Sequence, residues 1–295
     1  MKKLYCLLAV LILILSFTGC NSNESPVQIV ATTLPVYEFT SILCRGTGLS
    51  VGQLVTESVS CLHDYTLHVD QMRMIENADT IVISGVGLED FLDDALDASA
   101  SIIDASANTH VHAGTSDHHH NHEDEHEHSH DIDPHIWLSP TNAKIMVKNI
   151  CDGLSLLYPE YADVYAKNLE QLLFRLDVLQ TYGDDTLSSL SCRELITFHD
   201  GFAYLAESFD LTILRAIEEE SGSEASAAEL KELIYLVNDH SLPAVFIEAN
   251  GSSSAAENIS GETGVGVFIL DMAMSGESYF DAMYRNIDVI KEALE

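Results

Sequence analysis

The sequence has few basic residues. Only 13 lysines and arginines stand against 47 aspartates and glutamates in 295 residues, a formal net charge of −34. A nucleic-acid-binding protein neutralises phosphates with Lys and Arg, so this shortage argues against that function. It also argues against docking on anionic lipid headgroups through protein charge. The acidic excess is instead compatible with a protein that attracts cations.

Closely spaced cysteines are missing as well. The six cysteines include no Cys-x-x-Cys pair, so a zinc site built from thiolates is not expected. The HxE…PCxxC signature of zinc-dependent deaminases is absent, and strings of the HExxH type occur only inside the histidine-rich run, at residues 122–126 and 126–130. Two interpretations of the remaining cysteines stand: a disulfide between Cys44 and Cys61, the preferred pair, or four free buried thiols at Cys44, Cys61, Cys151 and Cys192.

Long apolar runs are missing except at the N-terminus. There a charged "MKK" precedes "LYCLLAVLILILSF", which is short for a bilayer span and is soon followed by polar residues. Residues 1–19 are therefore predicted to be a signal peptide. "FTGC" resembles a bacterial lipobox with Phe17 in place of the usual leucine, so Cys20 is predicted to carry a lipid. An ordinary cleaved signal peptide is the alternative, and either one places the protein outside the cytoplasm, at the cell surface or in the periplasm.

The fold class follows from alternating patterns. A hydrophobic fraction of 46% allows a real core. After a tether at residues 20–26, β-branched runs such as "DTIVISG" alternate with helical-period segments such as "HVDQMRMIENA" and "LEDFLDDALD", as in βα units on a parallel sheet. The alternation gives way to two helical segments and then resumes. The sequence predicts an α/β protein with two parallel-sheet lobes, residues 27–157 and 191–295, joined by one long helix within residues 158–190.

Residues 107–131 interrupt the first lobe. They are rich in His, Asp and Glu and almost free of apolar residues, so they cannot bury enough surface to offset the entropy of ordering. The segment is predicted to be a disordered loop with one of three roles: weak Zn²⁺ capture, sensing through a second site, or a soluble spacer. Its candidate auxiliary ligands are His118, His119, His120, His122, His126, His128 and His130.

Five side chains that can bind a metal stand out by position. Ligands of open α/β sheets bind beyond the carboxyl ends of the strands, and His199, Glu248 and Asp271 lie at or near predicted strand ends. His63 and His135 belong to the first lobe and its exit. A cleft between the lobes would unite them, and three imidazoles with one carboxylate suit tetrahedral Zn²⁺. Taken singly, each histidine also fits a capped polar residue, and Asp271 fits a helix N-cap.

Other polar residues are assigned different roles. His68 lies near a predicted helix start, and His240 lies near a helix end, where a protonated ring favours the dipole. Neither is assigned to the site. Asp64, Asp133 and Asp200 adjoin the candidate ligands and either orient imidazole rings or cap turns.

Six segments occur in the order of a known family's motifs: "LHDYTL", "ADTIVISGVGLEDFL", "DPHIWLSP", "TFHDGFAYLAESFDL", "EASAAELKELIYLVND" and "FIEAN". The sequence resembles the zinc-type (ZnuA-type) solute-binding lipoproteins of bacterial ABC importers over about residues 27–295. The resemblance implies two α/β lobes bridged by a rigid long helix, with the metal in the cleft between them. It also favours Zn²⁺ capture for the histidine-rich loop, which many zinc members carry.

The resemblance implies a ligand set by position: His63, His135, His199 and Asp271. Manganese-type relatives commonly carry Glu at the position of His199, so a histidine there implies Zn²⁺ rather than Mn²⁺. Leu62 and Ser139 depart from a common proline and a frequent aspartate, which concerns loop geometry. No cysteine follows Cys192, so the C-terminal-lobe disulfide of some zinc members is absent.

These features together predict a receptor that captures Zn²⁺ and delivers it to an ABC-type metal permease, as a lipid-anchored monomer without catalytic residues. Four protein ligands would close the coordination shell, whereas a catalytic zinc keeps one position open. The alternatives are a manganese-type solute-binding protein or adhesin of the same family, a zinc hydrolase with Glu248 or Asp271 as base, and a storage or adhesin lipoprotein that acts through its histidine-rich loop.

Overall fold

The chain forms two parallel sheets connected through helices. The structure is a computed structural model that describes residues 27–59, 62, 65–92, 95, 100–112, 132–217 and 225–295. The predicted signal peptide, the tether, Cys20, Cys61, His63 and the candidate ligands from His118 to His130 lie outside the described residues. No helix in the described ranges is both long and apolar enough to cross a bilayer.

The first sheet has the strand order β2-β1-β3-β4, and each neighbouring pair is parallel. Its strands are short and rich in β-branched residues, which pack well on a pleated surface. Helices connect the first strand to the second and the second to the third, as parallel pairing requires a crossover. The elements are β1 (Ile29–Ala31), α1 (Leu34–Leu43), β2 (Val51–Gln53), α2 (Val69–Glu76), β3 (Thr80–Ile83) and β4 (Ser101–Asp104).

Two helices lead from the first sheet to the second: α3 (Pro140–Leu157) and α4 (Ala162–Leu187). Ser139 caps α3, since its Oγ accepts a hydrogen bond from Asn142 N at 3.3 Å. Helix α4 has 26 residues and is about 39 Å long. Its buried residues recur at helical spacing at Tyr165, Leu172, Leu176 and Leu179, the period that predicts one long helix.

The second sheet repeats the arrangement, with the parallel order β6-β5-β7-β8. Its elements are β5 (Glu194–Thr197), α5 (Ala203–Ser208), β6 (Thr212–Ala216), α6 (Ala227–His240), β7 (Ala244–Glu248), α7 (Ser254–Thr263), β8 (Gly266–Leu270) and α8 (Tyr279–Leu294). The predicted fold class, two parallel-sheet α/β lobes joined by a long helix, is confirmed.

The two lobes are tied together by the loop between β8 and α8. The indole Nε1 of Trp137 donates to the Met272 carbonyl at 2.7 Å. The Tyr279 hydroxyl donates to the Trp137 carbonyl at 2.8 Å. From the other side, the backbone N–H of Leu34 donates to the Met274 carbonyl at 3.1 Å. This buried network fixes the loop that follows β8 against both lobes.

The sequence prediction of a helix in "LEDFLDDALD" is wrong for the residues that the structure describes. They hold only a short 3₁₀ turn at Asp90–Leu92. Glu89 folds back toward β3, and its carboxylate accepts hydrogen bonds from Ser84 N at 2.7 Å and Gly85 N at 3.0 Å. Burial raises the pKa of Glu89 to about 7. Because the Glu89 side chain bonds the backbone of the preceding turn, it holds the chain in a conformation other than a regular helix.

The preferred Cys44–Cys61 disulfide is also wrong, because Cys44 is a free thiol. Cys44 ends α1 and lies buried in the core. This burial raises the pKa of its thiol to about 12, so the group stays protonated and unreactive. Cys151 is likewise free and buried, and Cys192 is free and partly exposed.

Candidate metal centre

The candidate ligands of the second lobe lie at one edge of its sheet. His199 follows β5 by two residues, Glu248 ends β7, and Asp271 directly follows β8. These strands are parallel neighbours, so their carboxyl ends meet at the same edge. His135 approaches the edge from the first lobe, in the segment that precedes α3, and its ring lies 5.3 Å from the ring of His199, centroid to centroid.

A carboxylate holds the ring of His135. Its Nδ1 lies 2.7 Å from Asp133 Oδ1, which also accepts the His135 backbone N–H at 2.9 Å. The Tyr204 hydroxyl donates to the Asp133 carbonyl at 2.7 Å. All three residues are buried. A ring fixed through Nδ1 offers Nε2 to a metal, the arrangement in which an outer carboxylate sets the tautomer and raises the basicity of the ligand.

His199 has a similar neighbour. Its Nδ1 lies 3.5 Å from Oε2 of Glu248, which is 4% exposed. Glu248, a candidate auxiliary ligand from the sequence, therefore lies beside the Nδ1 edge of His199, where a carboxylate orients the ring. The rings of His135 and His199 meet edge to face at 82°.

Gly201 forms the floor beneath both rings. A Cβ at this position would lie 2.8 Å from His199 Cδ2, 2.9 Å from His135 Cε1 and 2.6 Å from Met272 Cε. Real Cβ atoms do not approach other atoms this closely, so a side chain at this position would force Met272 and at least one of the two rings to shift. Neither Gly201 nor Met272 was predicted from the sequence. The glycine two residues after the histidine in "TFHDG" was the available signal.

We expect Gly201→Ala to weaken Zn²⁺ binding by about tenfold to a hundredfold. Overpacking costs about 1–3 kcal/mol, and each 1.4 kcal/mol is roughly tenfold in affinity. Here the strain falls on the rings of two candidate metal ligands. Titration with Zn²⁺ against a competing chelator measures the change. Gly261→Ala in α7 is the matched control, because nothing lies within 4 Å of the added Cβ. Equal affinities for the two variants would contradict the role of Gly201.

The backbone of Asp271 is held by hydrogen bonds, but its carboxylate contacts Ala273 and Arg285 rather than the two histidines. Its Oδ1 accepts the Ala273 backbone N–H at 2.8 Å, and its Oδ2 lies 3.4 Å from Arg285 Nη1. Asn286 holds its backbone through two hydrogen bonds of 2.8 and 2.7 Å. Among the described residues, no three of His135, His199, Glu248 and Asp271 have ligand atoms that all lie within 4.8 Å of one another. The structure thus brings the two imidazoles together and leaves Asp271 paired with Arg285.

The remaining histidines of the sequence analysis fall into two groups. His63 and the histidines from His118 to His130 lie outside the described residues. His68 precedes α2, where its backbone N–H donates to Gln71 Oε1 at 2.8 Å. His240 ends α6, and its Nδ1 lies 2.9 Å from Glu194 Oε2. That neither histidine belongs to the site stays a prediction.

Comparison with known proteins gives consistent relatives. The profile of the family described as "Zinc-uptake complex component A periplasmic" (ZnuA) matches residues 29–293. The chain is 29% identical over 310 aligned residues to the zinc-binding lipoprotein AdcA of Streptococcus pneumoniae, covering 100% of this chain and 62% of that protein. It is 29% identical over 297 residues to the high-affinity zinc uptake system protein ZnuA of Bacillus subtilis, covering 94% of this chain and 90% of that protein.

A solved structure shows the same architecture. Zn(II)-bound AdcA from Streptococcus pneumoniae superposes with a TM-score of 0.75 at 27% identity, over 92% of this chain and 58% of that chain. The chain therefore spans about three fifths of the length of AdcA, 62% by sequence.

Proposed function

We propose that this chain, which belongs to the zinc-uptake complex component A family, is an extracytoplasmic receptor that captures Zn²⁺ and delivers it to the permease of an ABC importer. The observation that carries the proposal is the pair of histidines, buried His135 and partly buried His199, that face each other from the two lobes over Gly201. Each has a carboxylate at Nδ1, and this pairing prepares imidazoles for a metal.

The proposed ligands are His63, His135, His199 and Asp271. Three imidazoles and one carboxylate match the preference of Zn²⁺ for four-coordinate nitrogen and oxygen sites. Asp271 joins them by exchanging its contact with Arg285 for the metal. Mn²⁺ remains the alternative cargo, although it is better suited by harder oxygen donors. A hydrolase that uses Glu248 as base is disfavoured by the position of this carboxylate beside His199 Nδ1.

Release is proposed to follow movement between the lobes when the protein docks on its permease. This movement would take place at the interface where Trp137 makes its buried hydrogen bonds to Met272 and Tyr279. Because imidazole binds a metal only when neutral, acid pH is expected to weaken binding.

The cellular setting is proposed from the N-terminal sequence and from the relatives. Residues 1–19 are proposed to be removed, Cys20 to carry the lipid, and residues 20–26 to tether the lobes to the membrane. The Streptococcus pneumoniae relative is named a lipoprotein, which supports this anchoring. The mature protein is proposed to act as a monomer whose lobes are residues 27–157 and 191–295, with residues 158–190 as the linking helix.

Deletion of residues 113–131 tests the function. The receptor hypothesis expects tight binding of one Zn²⁺ to survive the deletion, with weaker binding of Mn²⁺, because the proposed ligands lie outside that segment. Titration of tag-free protein with each metal under a competing chelator gives both affinities. A storage or adhesin protein that works through its histidine-rich loop predicts that tight binding disappears. Turnover of a chromogenic ester or lactam by the zinc-loaded protein would instead support the hydrolase.

A further inference from the structure

A second cluster of metal-binding side chains lies apart from the candidate centre. We propose that His110, His112 and Glu207 form an additional, weaker Zn²⁺ site that bridges the two lobes. It shares no side chain with the proposed primary ligands, so it stands or falls independently of the proposed function. Its first two members precede the residues at 113–131, and Glu207 belongs to α5 of the second lobe.

The three side chains converge on one point. Oε2 of Glu207 lies 2.8 Å from His112 Nε2 and 3.8 Å from His110 Nε2. The two imidazole rings are 5.0 Å apart, centroid to centroid. In the described part of the chain, this is the only group of three His, Cys, Asp or Glu residues whose ligand atoms all lie within 4.8 Å of one another. Ligand atoms of tetrahedral zinc are separated by about 3.3 Å, given bonds of 2.0–2.1 Å, so small side-chain adjustments suffice.

The contact between His112 and Glu207 differs from an ordinary ion pair. The Nε2 atom of His112 is shielded from solvent and makes no hydrogen bond of acceptable geometry, although the Glu207 oxygen is 2.8 Å away. A shielded nitrogen beside a carboxylate oxygen, with the two out of line for a shared proton, is an incomplete arrangement for a hydrogen bond. Both atoms carry lone pairs that can bind a metal, and a cation placed between them would be coordinated by both.

The backbone at both histidines is already fixed. Asn142, buried in α3, accepts from His110 N at 2.9 Å and donates to the His110 carbonyl at 2.8 Å. The backbone N–H of His112 donates to the Tyr204 hydroxyl at 3.0 Å, and the ring of His112 packs on the Tyr204 ring at 4.5 Å. Ligands held this way lose less conformational entropy on binding a metal than ligands on a disordered segment.

The cluster also touches the scaffold of the candidate centre. The backbone N–H of Asp133, whose carboxylate holds His135, donates to the His112 carbonyl at 3.1 Å. A cation on His110, His112 and Glu207 would therefore link α5 of the second lobe to the segment that positions His135. The formal charge of −34 favours the arrival of any cation at this exposed position.

Zn²⁺ calorimetry on the tag-free mature chain lacking residues 113–131 tests the proposal. That background removes the other histidines of the loop, so two classes of Zn²⁺ binding are expected, one tight and one weaker. The double variant His110→Ala/His112→Ala, and separately Glu207→Gln, should weaken the second class by at least about 100-fold. Loss of a residue that only hydrogen-bonds to a metal ligand already lowers metal affinity about 10–100-fold. The tight class should persist in both.

Matched variants separate this site from general effects. His68→Ala removes an exposed histidine that lies 3.9 Å from Glu57, and Asp210→Asn removes an exposed carboxylate two residues beyond α5. Both should keep two binding classes. A single class in the loop-deleted background, or a weaker class that survives His110→Ala/His112→Ala, would overturn the second site. His199→Ala distinguishes the two proposals, because it should remove the tight class and leave the weaker one.

Discussion

His199→Ala is expected to lower the affinity of the protein for Zn²⁺ by at least about 100-fold. Loss of an orienting neighbour of a ligand typically costs 10–100-fold, and removal of the ligand itself should cost more. His199 lies at the point where the strand end, the His135 ring and Glu248 meet. The substitution also leaves the buried carboxylate of Glu248 without its imidazole neighbour, and a buried charge that loses a polar partner costs free energy.

Competition with a chelator of known Zn²⁺ affinity measures this effect, with far-ultraviolet circular dichroism to show that the fold is intact. His240→Ala is the matched control. It also removes a histidine beside a glutamate, since His240 Nδ1 lies 2.9 Å from Glu194 Oε2, but this pair joins α6 to β5 outside the candidate centre. The control should keep full affinity. Full affinity in His199→Ala would show that the ligand assignment is wrong.

Trp137→Ala is expected to lower the free energy of unfolding by about 3–5 kcal/mol, the usual cost of truncating a buried aromatic residue. Trp137 is fully buried. Its indole Nε1 donates to the Met272 carbonyl, and its own carbonyl accepts from Tyr279. The variant opens a cavity and leaves the Met272 carbonyl without its donor. It should also weaken Zn²⁺ binding, because the Met272 side chain borders the same space beside Gly201 as the rings of His135 and His199.

Urea denaturation followed by circular dichroism gives the free energy, because the variant lacks the only tryptophan. Phe174→Ala is the control, an aromatic truncation on α4 at a side chain that is 68% exposed. It should change stability by no more than about 0.5 kcal/mol. Trp137→Phe separates the hydrogen bond from the packing and should cost about 1–3 kcal/mol. A loss below about 1 kcal/mol in Trp137→Ala would contradict the proposed role of the interface.

Most of the fold was predictable because its signals are local. The β-branched runs became β1, β3, β5, β7 and β8, and the helical period of buried residues became α4. The sequence predictions were wrong where contacts with residues outside the local pattern determine the conformation. Glu89 is held by the turn after β3 rather than by a helix of its own, and the Cys44 thiol is free and buried in the core.

The candidate centre divides in the same way. The sequence identified His135 and His199 from strand ends and motifs, and it raised an orienting role for Asp133, which its hydrogen bond to His135 supports. It did not identify Gly201 as the floor of the site, the position of Glu248 behind His199, or the contact of Asp271 with Arg285. His63 remains a prediction from the sequence.

The sequence by itself determined the charge, the α/β pattern, the long helix and the chemical type of the proposed ligands, because each depends on residue identity and short-range periodicity. Only the tertiary structure decided which side chains meet. His199 and Glu248, or His112 and Glu207, are brought together by strands and helices whose order in space is not their order in sequence. Since imidazole and carboxylate act on a metal over a few ångströms, that placement, rather than the number of histidines, determines where a cation can bind.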